Sequence, residues 1–179
     1  DEVFMCPETS ANNDIRLYKS TNFPHEWRLH KSLIQNVSAA DTNIFLYEDR
    51  WWLFTNIDSS DIGDHCSELH IFYSDQFDSI NWMPHSKNPV ISTSQQSRNA
   101  GVINSTDGLF RSFQIQDFNF YGKSIGISKI LLLTPDDYQE KIIHAIEPTF
   151  IKNIKGTHHL SYKYDVAAID FYRYENIKN

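Results

Sequence analysis

Two stretches, residues 15–34 (IRLYKSTNFPHEWRLHKSLI) and residues 69–91 (LHIFYSDQFDSINWMPHSKNPVI), carry the same pattern twice. In each, an alternating strand leads to a polar turn that contains a phenylalanine, and a second strand begins at a tryptophan. Four pairs of residues correspond at 54 or 55 positions apart: Tyr18 with Tyr73, Phe23 with Phe77, Trp27 with Trp82, and His30 with His85. A repeat of this length built from strands alone is typical of the blades of a β-propeller.

Strand and turn signals continue along the chain, which predicts an all-β fold in one domain of 179 residues. Short alternating or β-rich runs are bounded by Asn, Asp, Ser, Gly or Pro. Glu48-Asp49 lies between two such runs and predicts a hairpin, and Thr106-Asp107-Gly108 predicts a second. The exception is residues 134–140, where the good N-cap Thr134 followed by Pro135 predicts a helix of one or two turns.

The strands group into four units, assigned to blades at about residues 1–36, 39–91, 97–148 and 156–175 of a single propeller domain or propeller fragment, residues 1–179. A closed propeller has at least four blades, commonly of four strands each. The chain is therefore expected to cover three to four blades. Missing or covalently linked N-terminal blades would complete the ring, as would a second copy that forms a homodimer through open blade edges.

Composition and charge argue against several classes of protein. The formal net charge is −7, which disfavours a nucleic-acid partner because such partners attract basic surfaces. No apolar run approaches the roughly 18 residues of a transmembrane helix, so we expect no membrane span. The first residues lack a signal-peptide pattern, and a cytoplasmic location is favoured. Cys6 and Cys66 form no paired motif and are expected to be buried free thiols.

Two carboxylates are candidate catalytic residues because each stands at one end of a predicted innermost strand. Asp41 begins the strand pair of the second unit, and Glu8 follows the apolar strand of the first unit. The inner strands of a propeller converge on its axis, so the two acids are expected to share one mouth of that axis. A pair of carboxylates there is what general acid–base chemistry on glycosides requires.

Four further residues are candidate substrate-binding groups at the same mouth. Arg98 precedes the inner strand of the third unit, the place that Asp41 holds in the second, and Arg111 lies on the next strand. A guanidinium can bind a carboxylate, a phosphate or sugar oxygens in a bidentate way. His158 opens the last strand and could face the mouth. Trp51 and Trp52 must point to opposite faces of a strand. One belongs to the core, and the other, taken as Trp51, either stacks on a sugar or packs against the next blade.

No metal or cofactor is expected from the sequence. His65, Cys66 and His70 lie close together in the chain, but their spacing matches no recognised set of ligands. The chain also lacks phosphate-binding, dinucleotide-binding, nucleophile-elbow and zinc-protease motifs.

The order of several short motifs resembles the propeller domain at the N-terminus of glucosamine inositolphosphorylceramide transferases. Bacterial relatives join a similar domain to glycosyltransferase or formyltransferase domains, and five-bladed glycosidases of the arabinanase and fructosidase type are distantly similar. Two stretches depart from the family: Arg98-Asn99-Ala100-Gly101 replaces an Arg-Pro-Ala-Gly pattern, and Arg111-Ser112-Phe113-Gln114-Ile115 replaces Arg-Pro-Ala-Gln-Asp. The motifs that carry the resemblance are Pro7-Glu8-Thr9-Ser10, Phe23-Pro24-His25-Glu26-Trp27, Asp41-Thr42, Trp51-Trp52-Leu53-Phe54, Asn88-Pro89-Val90 and Tyr121-Gly122.

The resemblance implies a five-bladed, glycosidase-like propeller of bacterial type that binds or processes a sugar or glycan within a larger sugar-modifying enzyme of glycan biosynthesis. Two alternatives stay open. One is a stand-alone inverting glycoside hydrolase, which needs two carboxyl groups about 6.5–9.5 Å apart. The other is a protein-interaction scaffold, because propellers serve many functions and the fold alone does not choose among them.

Overall fold

The computed structural model describes residues 2–117 and 120–174, and the expected all-β class is confirmed within them. Apart from a single 3-10 turn at Ser10–Asn12, the regular structure of the described residues consists of strands. The strands are β1 (Phe4–Met5), β2 (Asp14–Asn22), β3 (Glu26–Gln35), β4 (Ala39–Tyr47), β5 (Arg50–Ile57), β6 (Glu68–Ser74), β7 (Met83–Pro84), β8 (Ile91–Ser92), β9 (Asn99–Ser105), β10 (Gly108–Asp117), β11 (Phe120–Leu133), β12 (Tyr138–Ile146), β13 (Ile154–Gly156), β14 (Leu160–Lys163), β15 (Val166–Ile169) and β16 (Tyr172–Arg173).

The strands form antiparallel sheets in which chain neighbours are mostly sheet neighbours. The first sheet has the order β1-β2-β3, the second β4-β5-β6-β7 with β8 also on β6, and the third β12-β11-β10-β9. Two short pairs, β13 with β16 and β14 with β15, follow. Up-and-down sheets of three or four strands are the expected unit of a propeller. The number of blades and the closure of the ring stay predictions.

Both predicted hairpins are present. Glu48 and Asp49 have φ angles of 49° and 58° and join the paired residues Tyr47 and Arg50. Positive φ at both central positions is the type I′ geometry that matches the twist of the flanking strands. The second hairpin closes at the pair Ser105 with Gly108.

The predicted helix at residues 134–140 is wrong. Thr134 uses its hydroxyl to accept the backbone N–H groups of Asp136 (3.3 Å) and Asp137 (2.9 Å), which closes a turn instead of starting a helix. Tyr138 then begins β12, which pairs with β11. The cap signal was real, but pairing with a distant strand determined what followed it.

Two hydrophobic cores lie between the three larger sheets, one at each interface. Trp52 and Phe54 of β5 belong to the core shared with the third sheet, whereas Leu53 belongs to the core shared with the first sheet. Alternate residues of a strand face opposite ways, so the second sheet is packed on both faces. Phe54 and Trp82 are buried, whereas Trp27 contacts Phe23, which is 63% exposed at a hairpin tip.

The first strands of successive sheets lie side by side. β4 contacts β9, and β9 contacts β14. A Cβ on Gly101 of β9 would lie 2.1 Å from the backbone oxygen of Leu160 in β14, so only glycine permits this approach. Within residues 2–117 and 120–174, no helix is long and apolar enough to cross a membrane.

Candidate functional site

Asp41 lies in a bulge of the inner strand β4. The register between β4 and β5 shifts between Ala40 and Asn43, and Asp41 has a left-handed backbone with φ of 52°. The amide groups of Asn43 and Asn99 donate to the Asp41 carbonyl at 3.0 and 3.2 Å, which supports this uncommon conformation. Bulges often redirect a side chain near functional sites, and this one turns Asp41 toward the third sheet.

The carboxylate of Asp41 is held at one of its two oxygens. Oδ2 accepts from Arg98 Nε at 2.6 Å and from Gln114 Nε2 at 3.2 Å. Arg98 also contacts Cys66, with Nη1 at 3.3 Å from Sγ. Among the described residues, none donates a hydrogen bond to Asp41 Oδ1, and 26% of the side chain is exposed. The structure thus brings Asp41 and Arg98 together and leaves one oxygen available to a ligand.

Asp41 opens onto a cavity of about 200 Å³, which we call the mouth pocket. Glu8 reaches it from the segment after β1, and its Oε1 accepts from Ser10 Oγ at 3.3 Å. Both predicted acids therefore line one pocket, and their catalytic role stays a prediction. The lining residues are Cys6, Glu8, Asp41, Thr42, Asn43, Asn99 and His159.

The histidine that lines the mouth pocket is His159, whereas His158 was the predicted residue. Asp170 Oδ1 accepts the backbone N–H groups of His158 at 2.9 Å and His159 at 2.7 Å, which holds the dipeptide in place. His158 Nδ1 contacts Asp170 Oδ2, and its side chain packs against Gly122. The contact with Asp170 and the packing on Gly122 hold the His158 side chain, and His159 is the one of the two that lines the pocket.

Arg111 does not reach the mouth pocket, contrary to its predicted place. It is fully buried and pairs with Glu140 through two hydrogen bonds, Nε to Oε2 at 2.8 Å and Nη2 to Oε1 at 2.6 Å. The backbone oxygen of Gln96 accepts a third at 2.8 Å. Burial alone would raise the pKa of Glu140, but the charge and hydrogen bonds of Arg111 outweigh it and hold that pKa below its ordinary value. Arg111 is therefore part of an interior ion pair.

Trp51 lines a second cavity of about 330 Å³, which we call the aromatic groove. It is half-buried and packs against the core shared by the first and second sheets, so it does not point away from the core as expected. Its ring is tilted against Phe77, with ring centroids 5.4 Å apart. The groove and the mouth pocket share three lining residues, Cys6, Thr42 and Asn43. The full lining of the groove is Phe4, Met5, Cys6, Leu17, Thr42, Asn43, Ile44, Trp51 and Phe77.

Several site residues were missed by sequence reasoning. Asn99 directly follows Arg98, and its position at the start of an inner strand was a usable signal. Gln114 and His159 carried no comparable signal, because only the folded register shows which way they point.

Burial raises the pKa of the Cys6 thiol to about 12, so this pocket residue is not a thiolate at neutral pH.

Fold and pocket together define a β-propeller type of protein with an acidic pocket where its inner strands meet. A GH32 beta-fructofuranosidase from Bombyx mori is similar in structure, with a TM-score of 0.55, over 92% of this chain and 37% of that chain. The two sequences are 12% identical, so the likeness concerns the fold alone.

Sequence comparison places the chain in a family. The family described as glucosamine inositolphosphorylceramide transferase 1, N-terminal, matches residues 1–166, and the chain belongs to it. Glucosamine inositolphosphorylceramide transferase 1 of Oryza sativa subsp. japonica is 32% identical over 143 residues, which cover 78% of this chain and 19% of that protein. The Arabidopsis thaliana protein of the same name is 32% identical over 142 residues, 78% of this chain and 18% of that protein.

These findings confirm the resemblance and correct one part of it. The chain spans about a fifth of the length of the curated relatives it matches. Those relatives are plant proteins, which contradicts the expected bacterial type.

Proposed function

We propose that this domain binds a carbohydrate at the mouth pocket and serves as the recognition domain of a larger transferase of glycan biosynthesis. Family membership supports the second part, since the relatives are named glucosamine inositolphosphorylceramide transferase 1. The pocket supports the first part through its chemistry. Neither activity nor ligand follows from the fold, because propellers host many functions.

The observation that carries the proposal is the geometry of Asp41. Two hydrogen bonds to the Asp41 carbonyl support its uncommon backbone conformation, and two more hold Oδ2 of the carboxylate. Among the described residues, none donates to Oδ1. A fixed carboxylate beside a polar cavity suits sugar hydroxyl groups, which donate to carboxylates. Such positioning is the usual design of a polar contact that orients a ligand.

Binding fits Asp41 better than hydrolysis does. A general base must take up a proton, and protonation of Asp41 would weaken its ion pair with Arg98 at 2.6 Å. A hydrolase is still the second candidate, because Glu8 and Asp41 line the same pocket. Release of nitrophenol from a panel of aryl glycosides, lost in both Glu8→Gln and Asp41→Asn, would favour that candidate.

The proposal is tested by calorimetry and saturation-transfer NMR with glucose, mannose, glucosamine, inositol and nucleotide sugars. We expect at least one to bind, and Asp41→Asn to weaken it by about 10–100-fold, since a hydrogen bond to a charged group is worth about 1.5–3 kcal/mol. Asp136→Asn, an exposed carboxylate on the turn before β12, is the matched control and should leave binding unchanged. Binding that is indifferent to Asp41→Asn, or none across the panel, would overturn the proposal.

A further inference from the structure

The aromatic groove lies directly beside the mouth pocket. Cys6, Thr42 and Asn43 line both cavities, so a ligand that enters one is in contact with the border of the other. The mouth pocket alone, at about 200 Å³, is smaller than the roughly 300–1,000 Å³ of most small-molecule sites. The groove adds about 330 Å³ and brings the pair into that range.

One side of the groove is a set of packed aromatic rings. Trp51 tilts against Phe77 at 5.4 Å between centroids, and Phe77 meets Phe4 edge-on at 4.9 Å. Each ring is therefore held by its neighbour, and Trp51 is only half-buried. A fixed, partly exposed indole offers a large apolar face at low cost in side-chain entropy.

The border between the two cavities carries acceptor oxygens on three consecutive residues. Asn43 donates its amide N–H to the Asp41 carbonyl, and within the described part of the chain no group donates to its Oδ1. Thr55 Oγ1 donates its single proton to the Ala40 carbonyl at 3.1 Å. In its contact with Thr55 at 2.8 Å, Thr42 Oγ1 is therefore the donor, and no described residue donates to Thr42 Oγ1 in return. With Asp41 Oδ1, these oxygens suit a ligand that carries several hydroxyl groups.

We infer that the aromatic groove is a second sugar subsite, which holds the next unit of an oligosaccharide whose first unit occupies the mouth pocket. A sugar ring combines an apolar C–H face with a rim of hydroxyl groups. The indole face of Trp51 would contact the apolar C–H face of the sugar, and the acceptor oxygens of Thr42 and Asn43 would accept from its hydroxyl groups. This inference rests on the proposed function, because it says how long a ligand the proposed sugar site binds.

The experiment compares matched pairs of probes by calorimetry: glucose with cellobiose, mannose with β-1,4-mannobiose, and glucosamine with its β-1,4-linked dimer. We expect the disaccharide of the recognised sugar to bind about tenfold or more tightly than its monosaccharide. Trp51→Ala should bring the disaccharide to within about twofold of the monosaccharide while leaving monosaccharide affinity unchanged, and Trp51→Phe should retain part of the gain. Trp27→Ala, on the exposed hairpin of the first sheet, should change neither.

A second measurement avoids any dependence on whether the Trp51 variants fold. The protein is labelled with 5-fluorotryptophan, and the four resonances of Trp27, Trp51, Trp52 and Trp82 are followed during titration. The disaccharide should shift the Trp51 resonance, and the monosaccharide should not.

The outcomes separate the two proposals. If no sugar binds, or binding ignores Asp41→Asn, the proposed function fails and this inference with it. If the monosaccharide binds through Asp41 but the disaccharide gains nothing and leaves the Trp51 resonance unmoved, only the second subsite is overturned.

Discussion

At the scale of single residues, Asp41 shows how a local departure from regular structure produces a site. In an uninterrupted strand, successive side chains point to opposite faces of the sheet, and the Asp41 side chain would lie on one of those faces. The bulge at Ala40–Asn43 and the left-handed backbone turn it across to Arg98 instead. The conformation is unfavourable for most residues, and Asp and Asn are among the few that adopt it readily.

This conformation predicts an inverted order of stability between two substitutions. Asp41→Gly and Asp41→Ala both remove the ion pair with Arg98, but only alanine adds the steric cost of a left-handed backbone, about 1 kcal/mol. We therefore expect Asp41→Gly to be more stable than Asp41→Ala in urea unfolding, although glycine is normally the worse strand residue. Equal stability, or a more stable alanine variant, would show that the bulge relaxes once the carboxylate is gone.

The interior pair of Arg111 and Glu140 predicts a large effect from a single change. Their side chains are 0% and 4% exposed, and Glu140→Gln would leave the buried guanidinium without its countercharge. The expected loss in the free energy of unfolding is about 3–5 kcal/mol. Arg111→Met with Glu140→Leu removes both charges and should recover much of that loss; a double variant as unstable as the single one would contradict this account.

The same pair predicts a dependence of stability on pH. The pKa of Glu140 in the folded protein lies below its ordinary value of 4.5. Its stabilising contribution is therefore fully present above about pH 4.5 and is lost as the pH falls through the folded-state pKa. Chemical unfolding at pH 3–6 should show a steeper loss for the wild-type protein than for the Arg111→Met/Glu140→Leu variant; parallel curves would count against it. Asp64, Glu68 and Asp78, whose pKa values are also lowered, should supply the slope common to both.

At the scale of strands and turns, the hairpin at Glu48-Asp49 carries residues that its geometry does not favour. Both have positive φ, and type I′ turns strongly prefer Asn-Gly. The replacement Glu48→Asn with Asp49→Gly should stabilise the protein by up to about 1 kcal/mol, read as a higher melting temperature. Glu48→Ala with Asp49→Ala is the control and should lower it. No difference between the two variants would mean that the turn does not keep its type I′ form.

Strand patterns and turn residues were enough to predict most elements, but not the direction of individual side chains. The hairpins followed from residues adjacent in the chain, whereas β12 follows a capped turn and depends on pairing with β11. Arg111 lies two positions after the core residue Leu109 on β10, so both side chains are on the same face of the strand. That face is packed between sheets, which keeps Arg111 away from the mouth. His158 and His159 differ by one position, and only the contacts of Asp170 decide between them.

At the scale of the whole molecule, the meeting of residues from separate sheets was predictable in part. The repeat placed Asp41 and Arg98 at equivalent positions of successive units, and the inner strands β4 and β9 do lie side by side. The repeat did not predict that the carboxylate would be shared with Gln114, nor that the two cavities would have lining residues in common. Those features depend on the stagger between sheets, which no pattern within one sheet specifies.

The last third of the chain leaves much apolar surface uncovered, which predicts self-association. Tyr164 is 86% exposed and Val166 67%, and within the described residues β15 pairs only with β14, so one of its edges is open. Unpaired edges and apolar patches promote pairing with another chain. Light scattering of residues 1–179 should therefore show a concentration-dependent dimer, which Val166→Lys with Ala168→Lys should weaken by placing charge on that edge. Ile62→Lys, on a loop residue that is 80% exposed, should not. A monomer at all concentrations, or equal sensitivity to both changes, would rule out association through β15.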